Sequence, residues 1–169
     1  MFSIRPYQPT DYDACLDIFT SNVPLFFEAE EQATYANFLA QLACPYLIVE
    51  LADSVVGGGG FYRLPDEGCA GLVWGMVARN YQRRGIGTAL LEARLQRLGA
   101  DSTVQTVRVK TSQRSAPFFE RFGFRTERIL EHHFAVGLHQ YQMSLQFRSL
   151  SHATSPNHAM QRTAPRSDA

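Results

Sequence analysis

Apolar residues near the start of the chain recur at intervals of three and four positions, which is the spacing of an amphipathic helix. After a short extended segment at residues 2–7, the recurring positions are Ala14, Cys15, Ile18 and Phe19. Thr10 precedes them as a candidate N-cap with Asp13 three positions on, and Pro24 follows them. The pattern therefore predicts a strand and then a helix that begins at Thr10 and ends near Asn22.

A second helical pattern follows the acidic pair Glu30 and Glu31, whose negative charges suit a helix N-terminus. Pro45 ends this helix, and its apolar positions fall on one side at Tyr35, Phe38, Leu39 and Leu42. Two more helices are predicted further on, one with a leucine stripe and one with a proline in its first turn. They lie at residues 87–98 and 115–122.

Six further segments are rich in β-branched and aromatic residues or alternate between apolar and polar positions, as strands do. They span residues 46–51, 55–62, 69–79, 104–111, 124–130 and 139–147. We therefore predict one α/β (α+β) domain at residues 1–148, with a mixed, mostly antiparallel sheet of about seven strands and with about four helices. Residues 149–169 are almost free of large apolar residues and are predicted to form a disordered tail.

The charge composition argues against nucleic acid or a membrane as a binding partner. The chain has 16 Lys and Arg residues against 16 Asp and Glu residues, so no broad basic surface is expected for nucleic acid or a membrane. The sequence shows no charged leader and no long apolar stretch, which predicts a soluble cytoplasmic protein. Cys15, Cys44 and Cys69 are odd in number and far apart, which favours buried reduced thiols over disulfides or a zinc site.

The most informative segment is a predicted strand, a basic turn and a helix around residues 82–88. Gly85 and Gly87 leave room for an anion to approach the backbone, and the N–H groups at the start of the new helix point toward it. Arg83 and Arg84 add positive charge beside them. The turn therefore predicts a pyrophosphate site, although glycine at a strand-to-helix turn is often only structural.

Other phosphate motifs are not found. A Walker loop would need Gly-Lys-Ser or Gly-Lys-Thr, and a dinucleotide fingerprint would need a third glycine in the turn. The glycine run at residues 57–60 lies inside a strand pattern without a following helix. It therefore predicts a bulge or close backbone packing rather than a second phosphate loop.

Two stretches resemble motifs of the GNAT acyltransferases. The family's coenzyme A motif, Q/R-x-x-G-x-G/A, is similar to Gln82-Arg83-Arg84-Gly85-Ile86-Gly87. The family's A-x-x-F-Y-E-K-x-G-F helix is similar to Ala116-Pro117-Phe118-Phe119-Glu120-Arg121-Phe122-Gly123-Phe124. The predicted order of strands and helices also agrees with the family's, so the resemblance implies the GNAT-like acyl-CoA N-acyltransferase fold.

The resemblance also implies a site. In that family the pantetheine arm of coenzyme A runs beside the fourth strand, which splays away from the fifth. Met76, Val77 and Ala78 would then line the pantetheine, and the Val77 N–H would steady the oxyanion of the attacked thioester. The same resemblance assigns the cosubstrate acetyl-coenzyme A to a second set of residues, namely Gln82, Arg83, Arg84, Gly85, Ile86, Gly87, Thr88, Phe118 and Phe119.

Two positions depart from the family pattern. The tyrosine that often protonates the leaving thiolate corresponds to Phe119, and the strand position where some relatives carry a catalytic glutamate reads Gly71. Ser112 and Ser115 lie in the neighbouring connection and are candidate donors to the sulfur, with water as another option. Ser115 is an equally good candidate for a helix cap. The general base is left unassigned.

The resemblance puts the acyl acceptor on the opposite side of the splayed strands, near the first two helices. Candidate contacts there are acidic or aromatic, namely Phe27, Glu28, Glu31, Tyr35 and Trp74. They can attract and enclose a cationic amine, but helix-start charge and core packing explain the same residues. His132, His133 and His139 have no supporting carboxylate or thiolate spacing, so no metal is predicted.

The predicted activity is transfer of an acetyl group from acetyl-coenzyme A to a primary amine of a small molecule or a protein. A non-catalytic acetyl-coenzyme A sensor is the alternative, because both departures from the family pattern would be expected of it. A structural α/β domain without a ligand is the third hypothesis. Pairing of edge strands between two copies leaves a homodimer open.

Overall fold

A computed structural model of the chain describes residues 1–147. The seven strands are β1 (Phe2–Pro6), β2 (Tyr46–Leu51), β3 (Ser54–Leu64), β4 (Cys69–Val77), β5 (Thr106–Ser112), β6 (Arg125–Ala135) and β7 (Leu138–Gln146). The four α-helices are α1 (Tyr12–Ser21), α2 (Glu31–Gln41), α3 (Ile86–Gly99) and α4 (Ala116–Glu120). The order of elements agrees with the prediction, whereas the tail predicted at residues 149–169 lies outside the described residues.

All seven strands form one sheet in the order β1-β2-β3-β4-β5-β7-β6. The β4–β5 pair is parallel and the other neighbouring pairs are antiparallel, which confirms the predicted mixed, mostly antiparallel sheet. The parallel pair needs a crossover, and α3 supplies it.

The strands β4 and β5 are paired over only part of their length. The parallel ladder joins Cys69 through Leu72 to Thr106 through Val109. Beyond it β4 continues to Val77 along β3, while β5 continues along β7 as far as Ser112. The two strands therefore part at their carboxyl ends and leave a gap in the sheet.

The sheet separates two hydrophobic clusters. Alternate residues of β2 face opposite sides, as the pleat requires: Leu47 and Val49 join one cluster, and Tyr46 and Ile48 join the other. The first cluster is completed by α3 and α4, with Leu90, Leu91 and Phe119. The second is completed by α1 and α2, with Phe19, Tyr35 and Leu39. Each helical pair thus covers one face.

The start of α1 differs from the prediction. Residues Pro9–Asp11 form a 3-10 turn, α1 begins at Tyr12, and Asp11 rather than Thr10 holds the turn. The Asp11 carboxylate accepts the Gln8 N–H at 2.8 Å and pairs with the Arg5 guanidinium at 2.8 Å. The Thr10 cap was wrong because α1 begins one residue later: its N-cap position is Asp11, whose carboxylate makes no cap bond to α1 and instead turns back to Gln8 and Arg5.

The glycine run in β3 is a site of close packing, as predicted. A Cβ at Gly58 would lie 2.7 Å from the Tyr46 ring on one face of the sheet, and a Cβ at Gly59 would lie 2.8 Å from the Arg94 guanidinium on the other. The ladder with β4 is irregular at the same point, between Gly58 and Gly60. Both the bulge and the close approach therefore occur there.

Candidate active site

A cleft of about 880 Å³ opens where β4 and β5 part. It is bordered by the end of β4, the turn into α3, the end of β5 and the start of α4. The sequence analysis placed 19 residues in the site. Fourteen of them line the cleft, and the five that do not are Glu28, Tyr35, Ala78, Arg84 and Ile86.

The N–H of Val77 faces the gap. Ala78 donates its N–H to the carbonyl of Val56 in β3 at 2.9 Å, and successive strand residues direct their N–H groups to opposite edges. The Val77 N–H and C=O therefore point away from β3, toward the edge from which β5 has departed. This is a main-chain donor at the wall of a cleft, without a partner strand.

Two amide side chains, Asn22 and Gln82, hold this part of β4 from the side of the gap. Asn22, at the end of α1, donates to the Val77 carbonyl at 3.0 Å and accepts a hydrogen bond from Gln82 at 2.8 Å. Gln82 also donates to the Val77 carbonyl, at 3.1 Å. The Gln82 amide, which was predicted to contact the phosphates, therefore already bonds Asn22 and Val77, and Gln82 also lines the cleft. Asn22 was missed because its contact spans 55 residues of chain.

The turn before α3 exposes unpaired backbone donors. Gly85 has a φ of +79° and precedes the helix without any side-chain cap. The first backbone hydrogen bond of the helix runs from the Ala89 N–H to the Gly85 carbonyl, so the N–H groups of residues 86–88 precede that ladder. A Cβ at Gly85 would meet nothing within 4 Å, which makes this side of the turn open.

The other side chains of the turn lie in three different places. The side chain of Ile86 is buried in the core, so only its backbone faces the turn. Arg83 and Thr88 line the cleft. Arg84 lies outside it, with its guanidinium 5.2 Å from the centre of the Tyr81 ring. Of the two predicted cations, Arg83 is therefore the one beside the cleft.

Aromatic side chains close the opposite end of the cleft. Phe27 and Trp74 line it, with their ring centres 6.0 Å apart. Tyr35 stands behind Trp74 and is only 1% exposed, so it supports the wall without forming it. Its hydroxyl is 2.7 Å from that of Tyr46, which in turn donates to the Trp74 carbonyl at 3.0 Å.

The predicted acidic contacts act partly as helix-start groups. The Glu31 carboxylate accepts the N–H of Glu28 at 2.9 Å, just before α2. Glu31 also lines the cleft, whereas Glu28 does not. The position of Glu31 is therefore compatible both with a helix-start charge and with a contact to the acceptor.

A tyrosine occupies the space left by Gly71. Tyr62 in β3 is paired with Gly71 in β4, and any Cβ at Gly71 would collide with the Tyr62 ring. Tyr62 lines the cleft with 38% of its surface exposed. Tyr62 was not predicted from the sequence, because only the β3–β4 register brings it to Gly71.

Two hydroxyls border the cleft near the end of β5. Ser112 is 5% exposed and has no hydrogen-bond partner for its hydroxyl within residues 1–147. Ser115 is the N-cap residue of α4, but its hydroxyl makes no cap bond. Phe119 is 9% exposed and packs against Phe118 and Phe124. Both serine hydroxyls are therefore available toward the cleft.

The cleft is cationic although the chain as a whole is neutral. One carboxylate, that of Glu31, lines it, against six basic side chains: Arg83, Arg94, Arg108, Lys110, Arg114 and Arg121. Such a local excess favours anionic ligands.

Cysteines and histidines contribute little to the cleft. All three cysteines are free, and burial raises the pKa of Cys15 to about 11. The imidazole nitrogens of His132 and His139 accept backbone N–H groups of the β6–β7 hairpin, at 2.8 Å and 2.9 Å. No cluster suited to a metal ion is found in the described part of the chain, nor any helix able to span a bilayer.

Comparison with known proteins agrees with this geometry. A sequence model of the Acetyltransferase (GNAT) family matches residues 12–124. A curated relative, an N-alpha-acetyltransferase from Sulfurisphaera tokodaii, is 28% identical over 154 residues, which cover 85% of this chain and 92% of the relative.

Solved structures share the fold. The ribosomal-protein-S18-alanine N-acetyltransferase from Escherichia coli matches with a TM-score of 0.74 at 19% identity, over 90% of this chain and 98% of that one. An aminoglycoside 6'-N-acetyltransferase complexed with coenzyme A matches with a TM-score of 0.70 at 13% identity, over 85% and 96% of the two chains.

The family match covers most of the chain and includes both motifs on which the resemblance rested, at residues 82–87 and 116–124. The fold matches these two solved acetyltransferases over nearly their whole length. The predicted family, fold and enzyme class are thereby confirmed. The chain belongs to the GNAT acetyltransferase family and is an N-acetyltransferase.

Proposed function

We propose that the protein uses acetyl-coenzyme A to acetylate a primary amine, with the two substrates meeting in the gap between β4 and β5. The observation that carries this proposal is the Val77 N–H, which faces the gap without a partner strand. The coenzyme A complex of the aminoglycoside 6'-N-acetyltransferase supports the choice of donor.

The phosphate end of the donor fits the turn into α3. The N–H groups of residues 86–88 and the positive end of the helix dipole suit a pyrophosphate, and Arg83 adds charge beside them. The edge of β4 that β5 has left, at Met76 through Ala78, suits a pantetheine arm chiefly at the Val77 N–H, since the Ala78 N–H bonds β3 and the Val77 carbonyl accepts Asn22 and Gln82. Phe118, close to Gly87, borders the same channel.

Chemistry at the thioester then needs three things from the protein. As the amine nitrogen forms its bond to the carbonyl carbon, negative charge collects on the carbonyl oxygen, and the Val77 N–H is the proposed donor to it. Collapse of the intermediate breaks the carbon–sulfur bond and releases the thiolate, to which Ser112 or Ser115 can donate. The amine proton has to leave as well.

We propose that Tyr62 helps to remove that proton. Its ring fills the place where Gly71 has no side chain, on the face of the sheet that α1 and α2 cover. Gly71 lies six residues before Val77, about 20 Å along an extended strand, so the hydroxyl can act only through water in the cleft, as part of a relay that carries the amine proton to solvent. Phe27 and Trp74 would form the apolar wall against which the acceptor lies.

The test is release of coenzyme A thiol from acetyl-coenzyme A across a panel of primary amines, which includes free amino acids, polyamines and short peptides with free N-termini. Turnover with at least one amine is the expected result. Binding of acetyl-coenzyme A without release on any amine would instead support the sensor function that the missing motif tyrosine and glutamate allow.

A further inference from the structure

Arg94 is a buried cation without a counter-charge. It lies on α3, is 3% exposed, and packs where the other inward-facing residues of the helix are Ile86, Leu90, Leu91 and Leu98. Its Nε donates weakly to the Leu90 carbonyl at 3.3 Å. Within residues 1–147 no carboxylate pairs with it, and its two terminal nitrogens have no hydrogen-bond acceptor.

Two glycines of the neighbouring strands leave space for this guanidinium. A Cβ at Gly59 in β3 would lie 2.8 Å from Arg94 Nη1, and a Cβ at Gly75 in β4 would lie 2.9 Å from the same atom. Gly75 follows Trp74, whose φ of +46° marks the irregular stretch of β4 beside the gap. Two glycines on neighbouring strands thus make room for the head of the arginine at the floor of the cleft.

Leaving this charge unpaired is costly. Burying a guanidinium without an opposite charge is unfavourable, and burial lowers the pKa of Arg94 to about 10. A neutral acceptor such as a thioester carbonyl would satisfy one N–H but would not balance the charge. An anion in the cleft would do both.

The phosphates of the donor are too far away to be that anion. Arg94 lies eight residues after Ile86, so along α3 it is about 12 Å from the turn proposed for the pyrophosphate. It lies instead beside Gly75, at the end of the cleft where acyl transfer is proposed.

Resting on the proposed function, we propose that Arg94 binds a carboxylate of a substrate at the acyl-transfer end of the cleft. A guanidinium and a carboxylate form two parallel charged hydrogen bonds, which the two free terminal nitrogens allow. The carboxylate belongs either to the acyl group, as in a dicarboxylic acyl thioester, or to the amine acceptor. This substrate class explains why a core position of α3 carries an arginine.

Calorimetry at pH 7 separates the two sources. In the acyl arm, succinyl-coenzyme A is compared with butyryl-coenzyme A. In the acceptor arm, glutamate is compared with glutamine and with glutamate α-amide, each in the presence of coenzyme A. We expect one arm to favour the carboxylate by about tenfold to a hundredfold, as charged hydrogen bonds do. In Arg94→Leu this preference should fall below about threefold.

Arg94→Leu and its control Arg97→Leu each remove one positive charge from α3, and both are expected to fold. Arg94→Leu removes an unpaired buried charge, so it should melt no lower than the wild type. Arg97→Leu changes an exposed arginine of the same helix and should keep the full preference. Wild-type affinities equal within about threefold in both arms, or a preference that survives Arg94→Leu, would overturn the inference. Wild-type protein that fails to bind acetyl-coenzyme A would overturn the proposed function first and this inference with it.

Discussion

The ring of Tyr62 lies over the backbone of Gly71, so tightly that any side chain at position 71 would force the ring to move. The glycine and the tyrosine therefore form one unit, in which β3 rather than β4 delivers a polar group to the cleft. The Tyr62 phenol occupies the space that a side chain at position 71 would fill.

Replacing Tyr62 with phenylalanine should lower kcat by at least about tenfold if the phenol belongs to the water relay that removes the amine proton, because the relay would lose a hydroxyl while the ring keeps its packing. The KM for acetyl-coenzyme A should be unchanged. Steady-state kinetics with the best amine of the panel provides the measurement, and equal kcat in the two proteins would remove Tyr62 from the mechanism.

Gly71→Glu gives a complementary prediction. Its side chain meets the Tyr62 ring, so the single variant should unfold at a lower temperature than the wild type. The Tyr62→Ala, Gly71→Glu double variant removes the collision and should recover part of the loss. Additive melting temperatures in this cycle would show that the two positions are independent.

Ser112 and Ser115 can be distinguished by single changes to alanine. Ser112 is buried at the end of β5 with an unpartnered hydroxyl, so Ser112→Ala should lower kcat several-fold if this hydroxyl donates to the departing sulfur. Ser115→Ala should cost little helix stability because the hydroxyl makes no cap bond. Unchanged kcat in both variants would leave water as the donor.

The Arg5–Asp11 pair predicts a pH dependence of stability. Hydrogen bonds from Arg5 hold the pKa of the Asp11 carboxyl below its ordinary value. The pair therefore stabilises the fold above the unfolded pKa of about 4, and this contribution is lost as the pH falls through the lower folded pKa. Asp11→Asn should lower the free energy of unfolding by about 2 kcal/mol at pH 7 and by much less near pH 2. Urea titrations at both pH values measure the difference, and a loss of equal size at both would contradict the linkage.

Much of this architecture is predictable from local patterns. Strand and helix order follows from apolar spacing, and the packing of the glycine run follows from glycines inside a strand pattern. The turn at residues 82–88 is also local, because glycine, basic residues and a helix start occur together. These features depend on neighbours in sequence, which is why they could be predicted.

Other parts of the site depend on contacts between distant segments. The bonds of Asn22 to Val77 and Gln82 join residues 55 and 60 positions apart, and no local pattern signals them. Arg94 lies on the buried side of α3, although a charged residue in a helix is normally expected to face solvent. The gap between β4 and β5 entered the sequence analysis only through a family resemblance, since strand patterns do not show where pairing ends.

Unpaired main-chain N–H groups at residues 86–88 are proposed to hold the phosphates of acetyl-coenzyme A. This role is tested most directly by calorimetric titration of acetyl-coenzyme A into the wild type, Gly85→Asn and Gly85→Asp. Asn and Asp have the same shape and both tolerate the positive φ of this position, so the pair isolates charge. The wild type and Gly85→Asn should bind, with Gly85→Asp weaker than Gly85→Asn by at least about tenfold because a carboxylate faces the phosphates. Equal affinities of the Asn and Asp variants, or no binding by the folded wild type, would contradict it.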